Sequence, residues 1–258
     1  MAAGLRDGAG LMRTSYGVVR AHPRLLWFPV MSAVCLVVTA GFWVAQGTWL
    51  YQAQGRTLLF VPFVLAGVYA LTFVGAFFTV ALAGAAAEAV DGDTPSLSDG
   101  FDVASEHLGA IAVWAAYSIS VSFANGHLQS VKGFKWLGTA AKVAWSFATI
   151  FVVPLIAFED LDAGTARRRS FELARENWQL ETGGLGALRA ALIVPGVLFY
   201  VCDRLIAGHH IHSLGSDVAL CVLGLVAFAV IVAGGVVRQV FAVELYRTAV
   251  PATSGSSS

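Results

Sequence analysis

Two short runs of carboxylates are the residues of this chain best suited to chemistry. Asp91 and Asp93 flank a single glycine, and Glu159, Asp160 and Asp162 lie almost side by side. Three consecutive arginines, Arg167, Arg168 and Arg169, follow the second run. Carboxylate oxygens are hard ligands that suit Mg²⁺, and arginines grip phosphate with a planar fork of donors. The set could therefore hold Mg²⁺ and a diphosphate. The same residues also suit a structural role, because acidic side chains near a helix start complement the helix dipole and pair with nearby arginines.

His209, His210 and His212 form a second set. Imidazoles bind Zn²⁺ or Cu²⁺, with His127, Asp203 or Asp217 as further ligands. A structural zinc needs four well-placed ligands, and spacing puts only His209 and His212 on one helical face. A solvated polar loop is the alternative. No phosphate-binding loop, dinucleotide fingerprint, nucleophile elbow or His-Glu-x-x-His is present, so the mechanisms of soluble enzymes find no support. Cys35, Cys202 and Cys221 are odd in number and lie in or beside apolar runs, which suits packing rather than disulfides.

The elements that carry these residues are those of a membrane protein. Of 258 residues, 57% are hydrophobic and only 12% charged, and mean hydropathy is +0.73. A soluble domain carries roughly 25% charged residues, so a soluble chain of this composition could not cover its surface. Six apolar stretches approach the roughly 20 residues that a spanning helix needs. They cover 25–45, 58–87, 108–124, 137–158, 187–204 and 218–240. The second is long enough to tilt or to project from the bilayer. Residues 251–258 read as a disordered Ser/Gly tail, and the rest as one transmembrane domain, 1–250.

Lys and Arg set the orientation. With the N-terminus inside, 11 of the 16 basic residues fall inside and 5 outside. Both termini are therefore expected in the cytoplasm and the chain in the cell (inner) membrane. Net charge is zero, which points to no nucleic-acid partner. The inside connections share a pattern. Glu88, Asp91, Thr94, Phe101, Ala104 and Glu106 match Glu159, Asp162, Thr165, Phe171, Ala174 and Glu176, with one deletion. The N-terminal segment around Ser15, Tyr16 and Arg20 shares the later part. Each copy makes an apolar stripe at helical spacing, as in Phe171, Ala174 and Trp178. Such a helix suits the plane of the membrane interface, with an aromatic anchor. Three units of one interfacial helix and one hairpin give six spans.

The segment from Trp145 through Pro154 and Glu159 to Trp178 resembles the signature of an uncharacterised prokaryotic integral-membrane family. So does Gly92 to Pro95 with Gly100, Ala104, Ile111 and Trp114. The resemblance runs from Ser15 to about Tyr246. The hairpin pattern is also similar to the membrane domain attached to some glycerophosphodiester phosphodiesterases, a domain without catalytic residues of its own. These resemblances imply a fold and a location but no activity. Intramembrane prenyltransferases and terpene cyclases use two aspartate-rich motifs over a hydrophobic cavity. This chain departs from them in lacking the longer Asn/Asp repeat and in having fewer spans.

The expected fold is an all-α polytopic membrane bundle of six transmembrane helices in three hairpins, each preceded by a cytoplasmic-side amphipathic helix. The expected function is a non-catalytic component that binds a lipid or a protein partner, or assists transport, with no cofactor. One alternative is an Mg²⁺-dependent intramembrane enzyme acting on a lipidic or isoprenoid diphosphate. Another is a small-solute or metal permease using the histidine loop.

Overall fold

The computed structural model describes residues 2–54, 60–130, 144–145, 149–159, 161–186, 188, 197 and 214–250. Within them the chain is helical, with no strand. The helices are α1 (Ala2–Ala21), α2 (Trp27–Gln54), α3 (Phe60–Asp91), α4 (Leu97–Glu106), α5 (Leu108–Ser130), α6 (Val152–Glu159), α7 (Ala163–Glu176) and α8 (Leu214–Ala249). A 3-10 turn, Pro23–Leu26, joins α1 to α2, and a further helical stretch covers 178–186. Nearly all of the expected fifth span, part of the fourth, Asp160, the three histidines and the tail lie outside the described residues.

Four helical segments are long and apolar enough to cross a membrane: Pro23–Gln52, Phe60–Asp91, Leu108–His127 and Ala229–Ala249. Three of them overlay the expected spans at 25–45, 58–87 and 108–124. The fourth lies in α8, which runs from Leu214 to Ala249 and includes the expected span at 218–240. At 1.5 Å per residue, the 32 residues of α3 reach about 48 Å, well beyond a hydrocarbon core of about 30 Å.

The two parts of α3 have different surroundings. Its first half is outward-facing, with Val61, Val64, Leu65, Val68 and Tyr69 exposed. It pairs with α2, whose Val30, Val34, Val37, Val38 and Phe42 are exposed as well. Trp43 of α2 meets the Phe63 ring in a tilted pair at 4.8 Å and lies against Gly67, where a Cβ would come within 3.2 Å of the indole. The last part of α3, from Phe78 to Ala89, is almost wholly buried. It is dominated by alanine, so α4, α6 and α8 can approach closely.

The three similar segments lie on α1, α4 and α7, which are amphipathic, whereas α2, α3, α5 and α8 are largely apolar and present no single polar face. In each, the small residue before the aromatic is buried: Ser15, Gly100 and Ser170. Each thus marks where its helix meets the protein. Tyr16 and Phe171 point outward, while Phe101 packs among Phe28, Phe77 and Phe78. The stripe expected over Phe171, Ala174 and Trp178 is divided. The helix ends at Glu176 with Asn177 as its cap, and Ala174 is buried while both aromatics are exposed.

Gly100 is the tightest of these contacts that involves α3. A Cβ there would lie 2.5 Å from the Ala81 carbonyl oxygen and 2.8 Å from Phe28 Cζ. Gly100→Ala should therefore lower stability in detergent by about 2 kcal/mol, the range of an overpacked core. Gly109→Ala, where a Cβ meets nothing within 4 Å, should hold or raise it through better helix propensity. Thermal unfolding of the two variants checks both; equal behaviour would mean that α4 does not pack as described.

Candidate functional site

The acidic clusters sit where helices stop. α3 ends at Asp91, and Gly92 follows at φ +88°, a left-handed conformation that favours glycine. The Asp93 N–H then reaches back to the Glu88 carbonyl at 2.9 Å, closing the helix as a Schellman motif does. The Glu88 carboxylate accepts the Ser96 N–H at 2.8 Å, and Ser96 in turn caps α4. Asp93 is exposed at this turn.

Asp91 and Glu159 converge on adjacent residues of α8. Arg247 forms a two-pronged pair with Asp91, with Nη2 at 2.7 Å from Oδ2. The neighbouring Tyr246 hydroxyl donates to Glu159 Oε1 at 2.7 Å. Arg169 of α7 completes the group, its Nε 3.0 Å from Glu159 Oε2. Phe158 packs its ring on Tyr246 at 5.8 Å. The last turns of α3, α6 and α8 are therefore tied together through one carboxylate each from α3 and α6.

Asp162 does something else. It is the N-cap of α7, and its Oδ2 accepts the N–H groups of Gly164 at 2.9 Å and Thr165 at 3.1 Å. The Thr165 hydroxyl and backbone N–H, then Gly164 and the charge of Arg168, hold its carboxyl below the usual range. Asp162 and its sequence match Asp91 thus have different roles, because α3 runs through Asp91 while α7 begins after Asp162. Arg167 lies over the Tyr117 ring at 5.0 Å. It also lines, with Arg168, Phe171 and Trp145, a recess of about 670 Å³ beside α5. Arg168 is exposed.

The structure thus brings Asp91, Glu159 and Arg169 to one end of the bundle, while Asp162, Arg167 and Arg168 serve other contacts. Among the described residues, no three His, Cys, Asp or Glu side chains gather as metal ligands would. Tyr246, Arg247 and Glu244, whose Oε2 accepts the buried Ser15 hydroxyl at 2.6 Å, are the residues that sequence reasoning did not single out as site residues. The signal was present: Glu244, Tyr246 and Arg247 cluster at the end of a largely apolar helix.

Two outcomes follow for stability in detergent. Tyr246→Phe removes a hydrogen bond to a largely covered carboxylate and should cost about 1.5 kcal/mol. Asp91 and Arg247 are 45% and 38% exposed, so a double-mutant cycle on them should return less than about 1 kcal/mol. Asp162 adds a pH dependence. Because its folded-state pKa is depressed, its contribution is complete above the ordinary carboxylate pKa and is lost as pH falls through the lower value. Asp162→Asn, which can still cap, should flatten that acid limb in a series of thermal melts.

The model of a family of unknown function, DUF6159, matches residues 57–256. No curated protein and no solved structure matches the chain. The family match covers α3 to α8, the helices whose ends carry both acidic clusters, and more than half of the chain. This protein therefore belongs to the DUF6159 family.

Proposed function

We propose that this protein is a non-catalytic component of the cell (inner) membrane that binds a lipid or a partner protein. One observation carries the reading. Asp91, Glu159 and Asp162 at the helix ends are spent on protein partners, whereas apolar residues of α2, α3 and α8, such as Val37, Val64 and Val226, are exposed. Three of the carboxylates that an Mg²⁺-diphosphate enzyme would use, Asp91, Glu159 and Asp162, are engaged by Arg247, by Arg169 and Tyr246, and by the start of α7. A structural role accounts for them without substrate.

In this reading the chain has six spans in three hairpins. α1, α4 and α7 lie at the cytoplasmic interface, with Tyr16 and Phe171 exposed toward the headgroups. Both termini are cytoplasmic, in keeping with the arginine bias. The packing of α1 along α8 supports placing the two ends on one side.

Two measurements test this. In a background free of native cysteines, Ser98→Cys in intact cells should resist a membrane-impermeant maleimide and Gln52→Cys should react; the reverse pattern would overturn the orientation. Purified protein supplied with Mg²⁺ and an isoprenoid diphosphate should give no turnover. Turnover that disappears in Asp91→Asn or Glu159→Gln would sink the non-catalytic reading.

A further inference from the structure

We propose that the cavity between α2, α3 and α8 is a headgroup site for an anionic amphiphile, an acyl lipid whose phosphate or carboxylate enters the protein while its chains stay in the bilayer. This inference rests on the lipid-binding reading above and names the place and the ligand class. The cavity measures about 330 Å³, within the roughly 300–1,000 Å³ of small-ligand sites. Phe28, Ser32, Thr79, Gly235, Arg238 and Gln239 are among its walls.

Its polar groups favour an acceptor-rich, negatively charged ligand. Arg238 carries a charge that does not titrate away. The Nε2 of Gln239 is buried and has no hydrogen-bond partner among the described residues. A buried donor left unmade is costly, and an oxygen of a bound headgroup would satisfy it. The Thr79 hydroxyl already donates to the Gly75 carbonyl at 2.7 Å. No acidic residue is among the described residues that line the cavity.

Position favours a lipid over a free anion. Arg238 precedes Arg247 by nine residues, about 14 Å along α8 from the Asp91 pair. It lies inside the apolar segment Ala229–Ala249. Arg238 is exposed there, and a charge within a span usually faces a cavity or a ligand path. The flanking helix surfaces are open and apolar: Val30 and Val34 on α2, Val230 and Ile231 on α8. Acyl chains could follow them directly from the cavity.

The test uses the full chain in phosphatidylcholine nanodiscs doped with phosphatidylglycerol. Lipids retained after mild detergent extraction are counted by native mass spectrometry. Wild type should keep a phosphatidylglycerol in preference to phosphatidylcholine. Gly235→Leu should plug the cavity, since a Cβ there meets nothing within 4 Å, and Gln239→Leu should remove the buried donor. Each should lower retention at least about tenfold, a loss of about 1.4 kcal/mol, with melting temperature as the check on folding. Either folded variant is sufficient. Undiminished retention in that variant would overturn this site and leave the lipid-binding reading standing. No preference in wild type would overturn the site together with the lipid-binding part of that reading. Displacement of the lipid by inorganic phosphate alone would assign the cavity to a free anion and also overturn the proposal.

Discussion

The last part of α3 must be enclosed by protein, and most of the other helices are arranged to enclose it. A helix of 32 residues exceeds the bilayer's apolar core, so part of it needs cover other than lipid. That part runs from Phe78 to Ala89 and is built mainly from alanine, glycine and valine. Small side chains let backbones come close, and close approach supplies the dispersion contacts that hold helices together where lipid offers no hydrophobic drive. Gly84 against Val103 and Gly100 against Ala81 leave no room for a larger side chain between α3 and α4. Leu25, Phe28, Leu155, Ile156 and Phe241 fill the remaining space without exposure.

Enclosing helix ends creates a second requirement. The last carbonyls and first N–H groups of a helix have no partners of their own. Here Gly92 turns the chain so that Asp93 can close α3, Ser96 opens α4 and Asp162 opens α7. Charges at the same level are neutralised across helices, Asp91 by Arg247 and Glu159 by Arg169 with Tyr246. Three of the residues that looked equipped for metal chemistry, Asp91, Glu159 and Asp162, are thus held in pairs and caps at helix ends. The cavity by Arg238 and Gln239 is different, since a buried donor there is not met by the described residues.

Several features were legible in the residues alone. Apolar length located α2, α3 and α5 as candidate spans, since a spanning helix is a local property of composition. The small-then-aromatic segments marked α1, α4 and α7. What could not be read was which way those stripes face. A period of 3.6 identifies an apolar face but not whether lipid or protein covers it. Ser15, Gly100 and Ser170 turned out to mark the covered side. The match between Asp91 and Asp162 was also visible, but their roles differ because one ends a helix and the other begins one.

By itself, then, the sequence determined that the chain is helical, apolar enough for a membrane, and acidic at the ends of two helices. These follow from composition and short-range spacing. Only the tertiary structure decided what those acids touch and where a ligand could enter. Ser15 meets Glu244 across 229 residues, and Arg247 meets Asp91 across 156. No local pattern encodes such pairs, because their partners are chosen by how long helices pack side by side.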